Sequence, residues 1–264
     1  MKKRYDFHTH TLLSDGVLLL SEQLSWAKKK NYGAIGITDH ADASNIEEIL
    51  NKLQLFIEKE ELYYDIQIVP GVELTHCPPK SINNLAREAK QKGAKIVIVH
   101  GETIVEPVPE GTNKAAIESE YVDILAHPGL IEKELVELAA KNGTYLEIST
   151  RRGHSLTNGY VAKLSLEKGA KLLVNSDVHT PDNFLDFEEA KTIALGAGIP
   201  EDKIEEIMQG NPIDLLNKIG WNEIVSQFCW KLEVRGKKLC MSHVELCWNE
   251  RGHRFFVVFL ITNI

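Results

Sequence analysis

Short apolar segments alternate with helix-like segments along residues 3–220, and this alternation restricts the fold more than any other feature of the sequence. The apolar segments are mostly continuous runs, which is typical of strands buried on both faces. They lie at 5–7, 34–38, 66–72, 95–99, 122–126, 145–149 and 171–174. Parallel strands covered by helices explain this order, so the sequence predicts an α/β barrel of seven strand–helix units, similar to a TIM barrel.

Helix start and stop signals lie between these segments. Ser21 is a candidate N-cap, and Ser44 with Glu47 and Asp186 with Glu189 have the spacing of capping boxes. The other helices are predicted at 81–92, 112–120, 132–141 and 160–168, with further ones after Pro200 and Asn211 and an end at Gly220. Loops are short throughout, as expected for one large domain spanning 1–220.

Six of the seven predicted strands end in histidine, aspartate or glutamate. The residues concerned are His8, His10, Asp39, His40, Glu73, His100, His127, Asp177 and His179. The carboxyl ends of the strands build the active site of barrels of this type, so we expect these side chains to converge at one mouth. Imidazole and carboxylate groups together suit a divalent metal. The sixth strand has no such residue in this scheme and is followed by Arg151 and Arg152.

Charge and cysteine content exclude several classes of protein. The net charge of -8 argues against a nonspecific nucleic-acid binder. The basic start Met1–Arg4 is not followed by a signal peptide's apolar region, and no run is long enough to span a bilayer. The four cysteines, Cys77, Cys229, Cys240 and Cys247, lack paired metal spacing. We therefore expect unpaired thiols in a cytoplasmic protein.

The polar motifs at the strand ends resemble those of the PHP family, named for polymerase and histidinol phosphatase. The matching segments are His8-Thr9-His10-Thr11, Ser14-Asp15-Gly16, Ile37-Thr38-Asp39-His40, Gly71-Val72-Glu73, His100, Ala126-His127-Pro128-Gly129 and Asn175-Ser176-Asp177-Val178-His179. The resemblance implies a distorted (β/α)7 barrel and up to three divalent metals. It also implies a metal-dependent phosphoesterase.

The resemblance also implies which residues bind each metal. One metal would be bound by His8, His10, Glu73 and Asp177, and a second by Glu73, His100 and His127, with Glu73 bridging the two. A third would be bound by Asp15, His40 and His179, and Asp15 replaces a histidine found in some members. Oxygen and nitrogen donors fit Zn, Mn or Fe better than thiolate-bound metals. A hydroxide generated on the metal pair would attack phosphorus, with Asp177 and His179 at the reaction centre.

Further roles are predicted for polar residues near the strand ends. Arg151 or Arg152 would clamp a substrate phosphate, unless both are surface residues. His154 is a candidate proton donor to the leaving group. Asp39 would orient a ligand imidazole or cap a loop. His76 is expected to serve only its loop.

Residues 221–264 differ from the rest of the chain. They contain Cys229, Cys240, Cys247 and three of the four tryptophans, and the apolar run 255–261 favours strand pairing. Three interpretations are open: an added β-hairpin, a foreign and poorly ordered extension, or a piece that completes the barrel. We favour the atypical extension, because the last predicted helix already ends at Gly220.

The leading functional hypothesis is hydrolysis of a small phosphorylated metabolite, with histidinol phosphate as one candidate and nucleotides or oligonucleotide ends as others. The acidic net charge argues against long nucleic acids as substrates. No membrane partner is predicted, and a homo-oligomer is left open. One alternative is an amidohydrolase-type enzyme, which normally adds a lysine at a strand end; no such lysine occurs here. The other is a non-catalytic scaffold, which would be expected to have lost ligands.

Overall fold

The computed structural model describes residues 2–221 and the backbone of four short segments, 232–234, 237–239, 244–248 and 254–258. The strands of the first part are β1 (Arg4–Asp6), β2 (Tyr32–Ile37), β3 (His40–Ala41), β4 (Gln67–Leu74), β5 (Ile96–His100), β6 (Ile124–Ala126), β7 (Tyr145–Ser149) and β8 (Leu172–Asn175). The α-helices are α1 (Leu20–Lys29), α2 (Ile46–Glu60), α3 (Pro79–Gln91), α4 (Thr112–Glu118), α5 (Lys133–Asn142), α6 (Asn158–Lys168), α7 (Phe187–Gly196) and α8 (Asn211–Lys218).

Seven strands form a parallel sheet in the order β1-β2-β4-β5-β6-β7-β8, and the two-residue β3 pairs with β4. The sheet curls until its first and last strands approach each other. Beyond their ends, Thr9 and Val178 form a parallel bridge, with the His10 amide donating to the Val178 carbonyl at 2.8 Å. The predicted distorted (β/α)7 barrel is therefore confirmed, and its seam lies beside the histidines that follow β1.

Alternation along the strands separates two cores. On β5, Ile96 and Ile98 belong to the smaller cluster, whereas Val97 and Val99 belong to the larger one under the helices. The smaller cluster also includes Leu215 and Leu216 of α8. Each fully buried side chain of this kind contributes about 1.5–3 kcal/mol relative to an exposed one. The apolar barrel interior thus holds the strands rigidly, together with the polar residues at their carboxyl ends.

Two predicted N-caps, Ser21 and Ser44, are wrong. Helix α1 begins at Leu20, because the Glu22 carboxylate accepts a hydrogen bond from the Leu19 amide at 2.8 Å and closes the first turn without Ser21. Helix α2 begins at Ile46, and Ser44 instead donates through its amide and hydroxyl to Asp42. The capping box of Asp186 and Glu189 is confirmed at the start of α7.

A buried polar network joins β1 to the segment after β8. The Asp6 carboxylate accepts hydrogen bonds from the Ser176 amide at 3.1 Å and from the His8 amide at 3.3 Å. Arg4 and Tyr32 donate to the same carboxylate at 3.2 and 3.3 Å. Because a buried carboxylate needs such partners, the network fixes the backbone immediately before His8 and Asp177.

The chain divides into two compact units, residues 1–221 and 222–264. In the second unit, 232–234 pairs antiparallel with 237–239, and 244–248 pairs antiparallel with 254–258. Most of the tail lies outside the described residues, so the proposed foreign origin and disorder of 221–264 stay predictions. Among the helices that are described, none combines the length and apolarity needed to cross a bilayer.

Candidate metal centre

The carboxyl ends of the barrel strands surround a cavity of about 100 Å³. Its lining residues are Asp15, His40, His100, Glu106, Arg151, His154, Asp177 and His179. His8, His10, Glu73 and His127 lie beneath these residues and are almost completely buried. All nine residues predicted as metal ligands therefore gather at one end of the barrel, although they come from segments far apart in sequence.

Glu73, near the end of β4, lies at the centre of this group. Its Oε1 is 3.3 Å from His8 Nε2 and 3.6 Å from His127 Nε2. Its Oε2 is 2.6 Å from His40 Nδ1 and 3.6 Å from His10 Nε2. One carboxylate thus contacts four imidazoles, the arrangement expected of a group that bridges neighbouring cations.

Asp177 faces Glu73 from the other side of the site. Its Oδ1 lies 3.1 Å from His10 Nε2, 3.2 Å from His179 Nδ1 and 3.7 Å from His8 Nε2. Asp177 and His127 both have left-handed backbone angles, with φ of 53° and 27°. Such conformations are uncommon in residues other than glycine and concentrate at functional sites, where the surrounding structure holds them.

Glu147 of β7 is a buried acidic residue that the sequence scheme missed. Its Oε2 accepts a hydrogen bond from His8 Nδ1 at 2.8 Å and another from the Asn175 amide group at 3.0 Å. The bond places a proton of His8 on Nδ1 and directs Nε2 toward Glu73 and Asp177. A carboxylate within the apolar run Leu146–Ile148 was the available signal.

Asp15 meets His40 and His179 at the rim. Its carboxylate lies 3.1 Å from His179 Nε2 and 3.5 Å from His40 Nε2. Gly16 makes this placement feasible, because a Cβ there would lie 2.4 Å from the His10 carbonyl oxygen. The three residues predicted to bind a third metal are therefore together, with His10 beside them.

His100 lies beside His127, its predicted partner in the second metal site, and the two could hold one cation together with His154. Its Nε2 is 3.0 Å from Glu106 Oε2, and the ion pairs of Glu73 are with other histidines. Its ring still packs edge-on against His127, with centroids 4.4 Å apart. Glu106 was not predicted, because nothing in the sequence separates it from Glu102 and Glu110 on the same loop.

Electrostatic interactions favour ionised carboxylates at Glu73 and Asp177 and neutral imidazoles at His10 and His127. Burial opposes the charge of Glu73 and Asp177, but the charge of His8 and the other histidines lowers the pKa of both carboxyls well below its usual value. Burial lowers the pKa of His10 to about 4 and, with the charge of His100, lowers that of His127 well below its usual value. These are the protonation states that bind cations.

Three imidazoles with raised pKa values are exceptions, namely His40, His100 and, with the clearest shift, His8. Burial acts to lower the pKa of His8, but Glu147, Glu73 and Asp177 together raise that pKa well above its usual value. Three carboxylates thus concentrate negative charge around one imidazole, at the position where a cation would be most strongly attracted.

Several buried nitrogen and oxygen atoms of the site, which could bind a metal, have no hydrogen-bond partner among the described residues. They are His8 Nε2, His10 Nδ1 and Nε2, Glu73 Oε1, His127 Nδ1 and His179 Nε2. A buried polar atom left unsatisfied costs about 1–3 kcal/mol. Lone pairs of this kind fit divalent cations, so the residues present match the group that the fold implies.

Of the residues predicted to act on the substrate, Arg151 and His154 line the cavity and Arg152 does not. Arg151 lines the cavity and donates to the Asp177 carbonyl at 3.2 Å, and its guanidinium also contacts His179. Arg152 is exposed and lies outside the lining. His154 is buried, its Nδ1 bonds to the Thr103 hydroxyl at 2.8 Å, and its ring stacks on His127 with centroids 4.0 Å apart.

Asp39 does not orient a ligand imidazole. Its carboxylate accepts hydrogen bonds from the Thr11 amide at 2.7 Å, the Thr11 hydroxyl at 2.8 Å and the Ser14 hydroxyl at 2.7 Å. It therefore caps the loop that carries Asp15, which is the second of the two roles that the sequence left open. Its effect on the site comes through the position of that loop.

Known proteins resemble this chain in sequence and fold. The PHP domain model matches residues 6–106. An uncharacterized protein of Methanocaldococcus jannaschii is 50% identical over 217 residues, which cover 82% of this chain and 100% of that protein. A probable phosphatase of Thermoanaerobacter sp. strain X514 is 32% identical over 225 residues, covering 77% of this chain and 90% of that protein. The chain belongs to the PHP family.

A solved structure agrees with this membership at the level of the fold. The crystal structure of the "putative histidinol phosphatase" of Listeria monocytogenes matches with a TM-score of 0.52 at 13% identity. The match covers 68% of this PHP protein and 96% of the other chain. Identity this low supports the shared barrel only.

Proposed function

We propose that this PHP protein is a metal-dependent phosphoesterase that hydrolyses a small phosphorylated metabolite. The observation that carries the proposal is the convergence of buried, unpartnered imidazole and carboxylate atoms on one cavity that also contains an arginine. The relatives named probable phosphatases support the same reaction class.

The chain's own residues form two groups that would hold cations. Glu73 and Asp177, with His8, His10 and His127, would hold cations beneath the cavity, and Asp15, His40 and His179 would hold one at the rim. When bound, divalent cations supply a nucleophile from water at neutral pH and neutralise the charge of a phosphate. The nitrogen and oxygen donors favour Zn, Mn or Fe.

Glu147 and Asp6 would position the site without touching the substrate. Glu147 orients the His8 ring through its hydrogen bond to Nδ1. Asp6 ties together the backbone before His8 and before Asp177. Groups held in this way lose little freedom when the reaction begins, which favours the transition state.

Arg151 and His154 would act on the substrate itself. The Arg151 guanidinium lies at the cavity wall and can exchange its contact with Asp177 for a bidentate contact with a phosphate. If the Thr103 hydroxyl donates to His154 Nδ1, the neutral ring carries its proton on Nε2, which faces Asp177 and Glu106. That proton could pass to the departing oxygen of the ester.

The substrate is expected to be small and to enter with its phosphate first. The cavity of about 100 Å³ and the net charge of -8 both argue against a long polyanion. Histidinol phosphate is one candidate, and nucleotides are others. We place the activity in the cytoplasm.

A metabolite screen tests the proposal. Protein stripped with a chelator would be assayed for phosphate release from p-nitrophenyl phosphate and a phosphometabolite panel, with and without added Mn, Zn or Fe. We expect activity that requires an added metal. Absence of phosphate release by protein that retains its metals would contradict the proposal. Metal-dependent cleavage of amides or lactones instead would favour the amidohydrolase alternative, although no lysine lies among the described lining residues.

A further inference from the structure

Thr75, which directly follows the end of β4, places its hydroxyl against the ring of His40. Its Oγ1 lies 2.6 Å from His40 Nδ1 and 3.1 Å from the Glu73 carbonyl oxygen. Backbone contacts hold both residues in place. The Thr75 amide donates to the Ala41 carbonyl at 3.1 Å, and the Asn45 side chain donates to the His40 carbonyl at 3.0 Å. Thr75 is not one of the nine ligands, yet its hydroxyl touches one of them.

The contacts of His40 Nδ1 determine where the ring carries its proton. Glu73 Oε2 also lies 2.6 Å from this nitrogen, and a carboxylate oxygen can only accept, so Nδ1 bears a proton. The Thr75 hydroxyl then accepts from Nδ1 and directs its own hydrogen to the Glu73 carbonyl oxygen. The neutral ring keeps a lone pair on Nε2, which lies 3.5 Å from the Asp15 carboxylate at the rim.

Of the two partners of His40 Nδ1, the hydroxyl is the one that can keep its bond when the site holds cations. The carboxylate of Glu73 contacts four imidazoles and would turn to the cations beneath the cavity. The Thr75 hydroxyl is fixed to a backbone carbonyl and has no such second task. Thr75 therefore keeps Nδ1 occupied, which leaves Nε2 as the nitrogen that can bind a cation.

Other histidines of the site are tied through Nδ1 in the same way. Nδ1 of His8 is bonded to the Glu147 carboxylate at 2.8 Å. Nδ1 of His100 lies 3.1 Å from the Gly101 carbonyl oxygen. Each oxygen accepts the Nδ1 proton and so orients the ring for binding through Nε2. At His40 the oxygen belongs to a neutral side chain, so a substitution can remove it without changing the charge of the site.

We infer that Thr75 is a positioning residue for the rim cation, because it holds the His40 ring with Nε2 directed toward Asp15. The inference rests on the proposed function, which places a cation between Asp15, His40 and His179. It leaves that set of ligands unchanged and adds the hydroxyl that orients one of them. Groups that orient a metal-binding histidine typically change metal affinity by about 10–100-fold when they are removed.

Anomalous diffraction separates the rim cation from the deeper ones without measuring activity. Crystals of full-length wild type, Thr75→Val and Thr75→Ser would be soaked in the same series of Mn²⁺ concentrations, and the occupancy of each peak would be followed. Valine keeps the shape of threonine but cannot accept a hydrogen bond, whereas serine keeps the hydroxyl. We expect the Mn²⁺ concentration for half occupancy beside His40 to rise about 10–100-fold in Thr75→Val and to stay near the wild-type value in Thr75→Ser.

The deeper cations provide an internal control. Peaks beside Glu73 and Asp177 should be equally occupied in all three proteins at each Mn²⁺ concentration. Thr75 is only partly buried, so the variants are expected to fold, and melting curves of the metal-free proteins verify this. Thr75→Ala is a second variant without the hydroxyl and should reproduce the loss seen in Thr75→Val.

Four results would overturn the inference. Equal rim occupancy in wild type and Thr75→Val would show that the hydroxyl does not orient His40. An equal loss in Thr75→Val and Thr75→Ser would assign the effect to packing of the methyl group. Loss of the rim and deeper peaks together would mean that Thr75 acts on Glu73. Wild-type crystals with occupied deeper peaks and no rim peak would remove the rim cation from the proposed function, and the role of Thr75 with it.

Discussion

The floor and the mouth of the site differ in how their side chains are held. The floor consists of His8, His10, Glu73, His127 and Asp177, whose side chains are at most 4% exposed. Most of these residues lie at or just after the carboxyl ends of strands. The mouth consists of Asp15, His76, Glu106 and Arg151, whose side chains are between 31% and 54% exposed and lie on loops. Changes in the floor should therefore remove the reaction, and changes in the mouth should alter binding.

The largest effect is expected for Glu73→Gln in the floor. The amide keeps the size of the side chain but removes the charge that four imidazoles contact. We expect kcat/KM to fall by about 10³-fold, because bound metals supply several kcal/mol of transition-state stabilisation. Steady-state kinetics with the best substrate of the screen measures this change.

Melting curves of the stripped proteins provide the control for Glu73→Gln. Without metal, the variant should unfold cooperatively at or below the wild-type temperature near neutral pH, because the ionised Glu73 is stabilised by the histidines that lower its pKa. Wild-type kcat/KM in this variant would show that Glu73 does not hold the reacting cations.

Glu147→Gln should have a smaller effect, because Glu147 acts through His8. The neutral amide weakens the hydrogen bond to His8 Nδ1 while leaving the ligand nitrogen in place. We expect metal affinity to fall about 10–100-fold, as for other groups that orient a metal-binding histidine. Competition with a chromogenic chelator measures the affinity, and an unchanged value would remove Glu147 from the site.

The contrast between strand ends and loops also explains which site residues could be predicted from the sequence. Glu73, His127 and Asp177 follow apolar strands, and parallel strands bring their carboxyl ends together, so convergence followed from the strand pattern. Glu147 lies inside a strand instead of at its end, and a scheme based on strand ends missed it. Its side chain points to the site because alternate residues of β7 face opposite sides.

Loop positions could not be predicted in this way. Asp39 precedes the ligand-like His40 in sequence, yet its carboxylate binds the backbone and hydroxyls of the loop after His10. Glu106 reaches three histidines only because the Glu102–Asn113 pair and the Thr103–His154 hydrogen bond hold its loop. Such contacts depend on tertiary packing, and no periodicity in the sequence records them.

At the mouth, Arg151→Gln and Arg152→Gln form a matched pair of neighbouring substitutions. Arg151 lines the cavity and Arg152 is exposed outside it. We expect Arg151→Gln to raise KM about tenfold with a smaller change in kcat, because one charge-assisted phosphate contact contributes roughly 1.5–3 kcal/mol at most. Arg152→Gln should leave KM unchanged, and equal KM values for both variants and wild type would place both arginines on the surface.

The smallest effect is expected for Asp15→Asn at the rim. Asp15 contacts His179 and His40, but 54% of its side chain is exposed, so solvent weakens its charge. We expect the weakest of the rim and floor cations to bind about fivefold less tightly, which corresponds to an exposed charge contact of ~1 kcal/mol. Calorimetric titration with Mn²⁺ measures this affinity. A fall in affinity of about 10³-fold, as large as the fall in kcat/KM expected for Glu73→Gln, would contradict the distinction between floor and mouth.

Anomalous X-ray diffraction from crystals soaked in Zn²⁺ or Co²⁺ tests most directly whether residues distant in sequence jointly bind cations. We predict strong peaks at the metal absorption edge beside Glu73 and Asp177, within bonding distance of His8 and His10. Fully loaded crystals without a peak in contact with Glu73 would contradict the central claim.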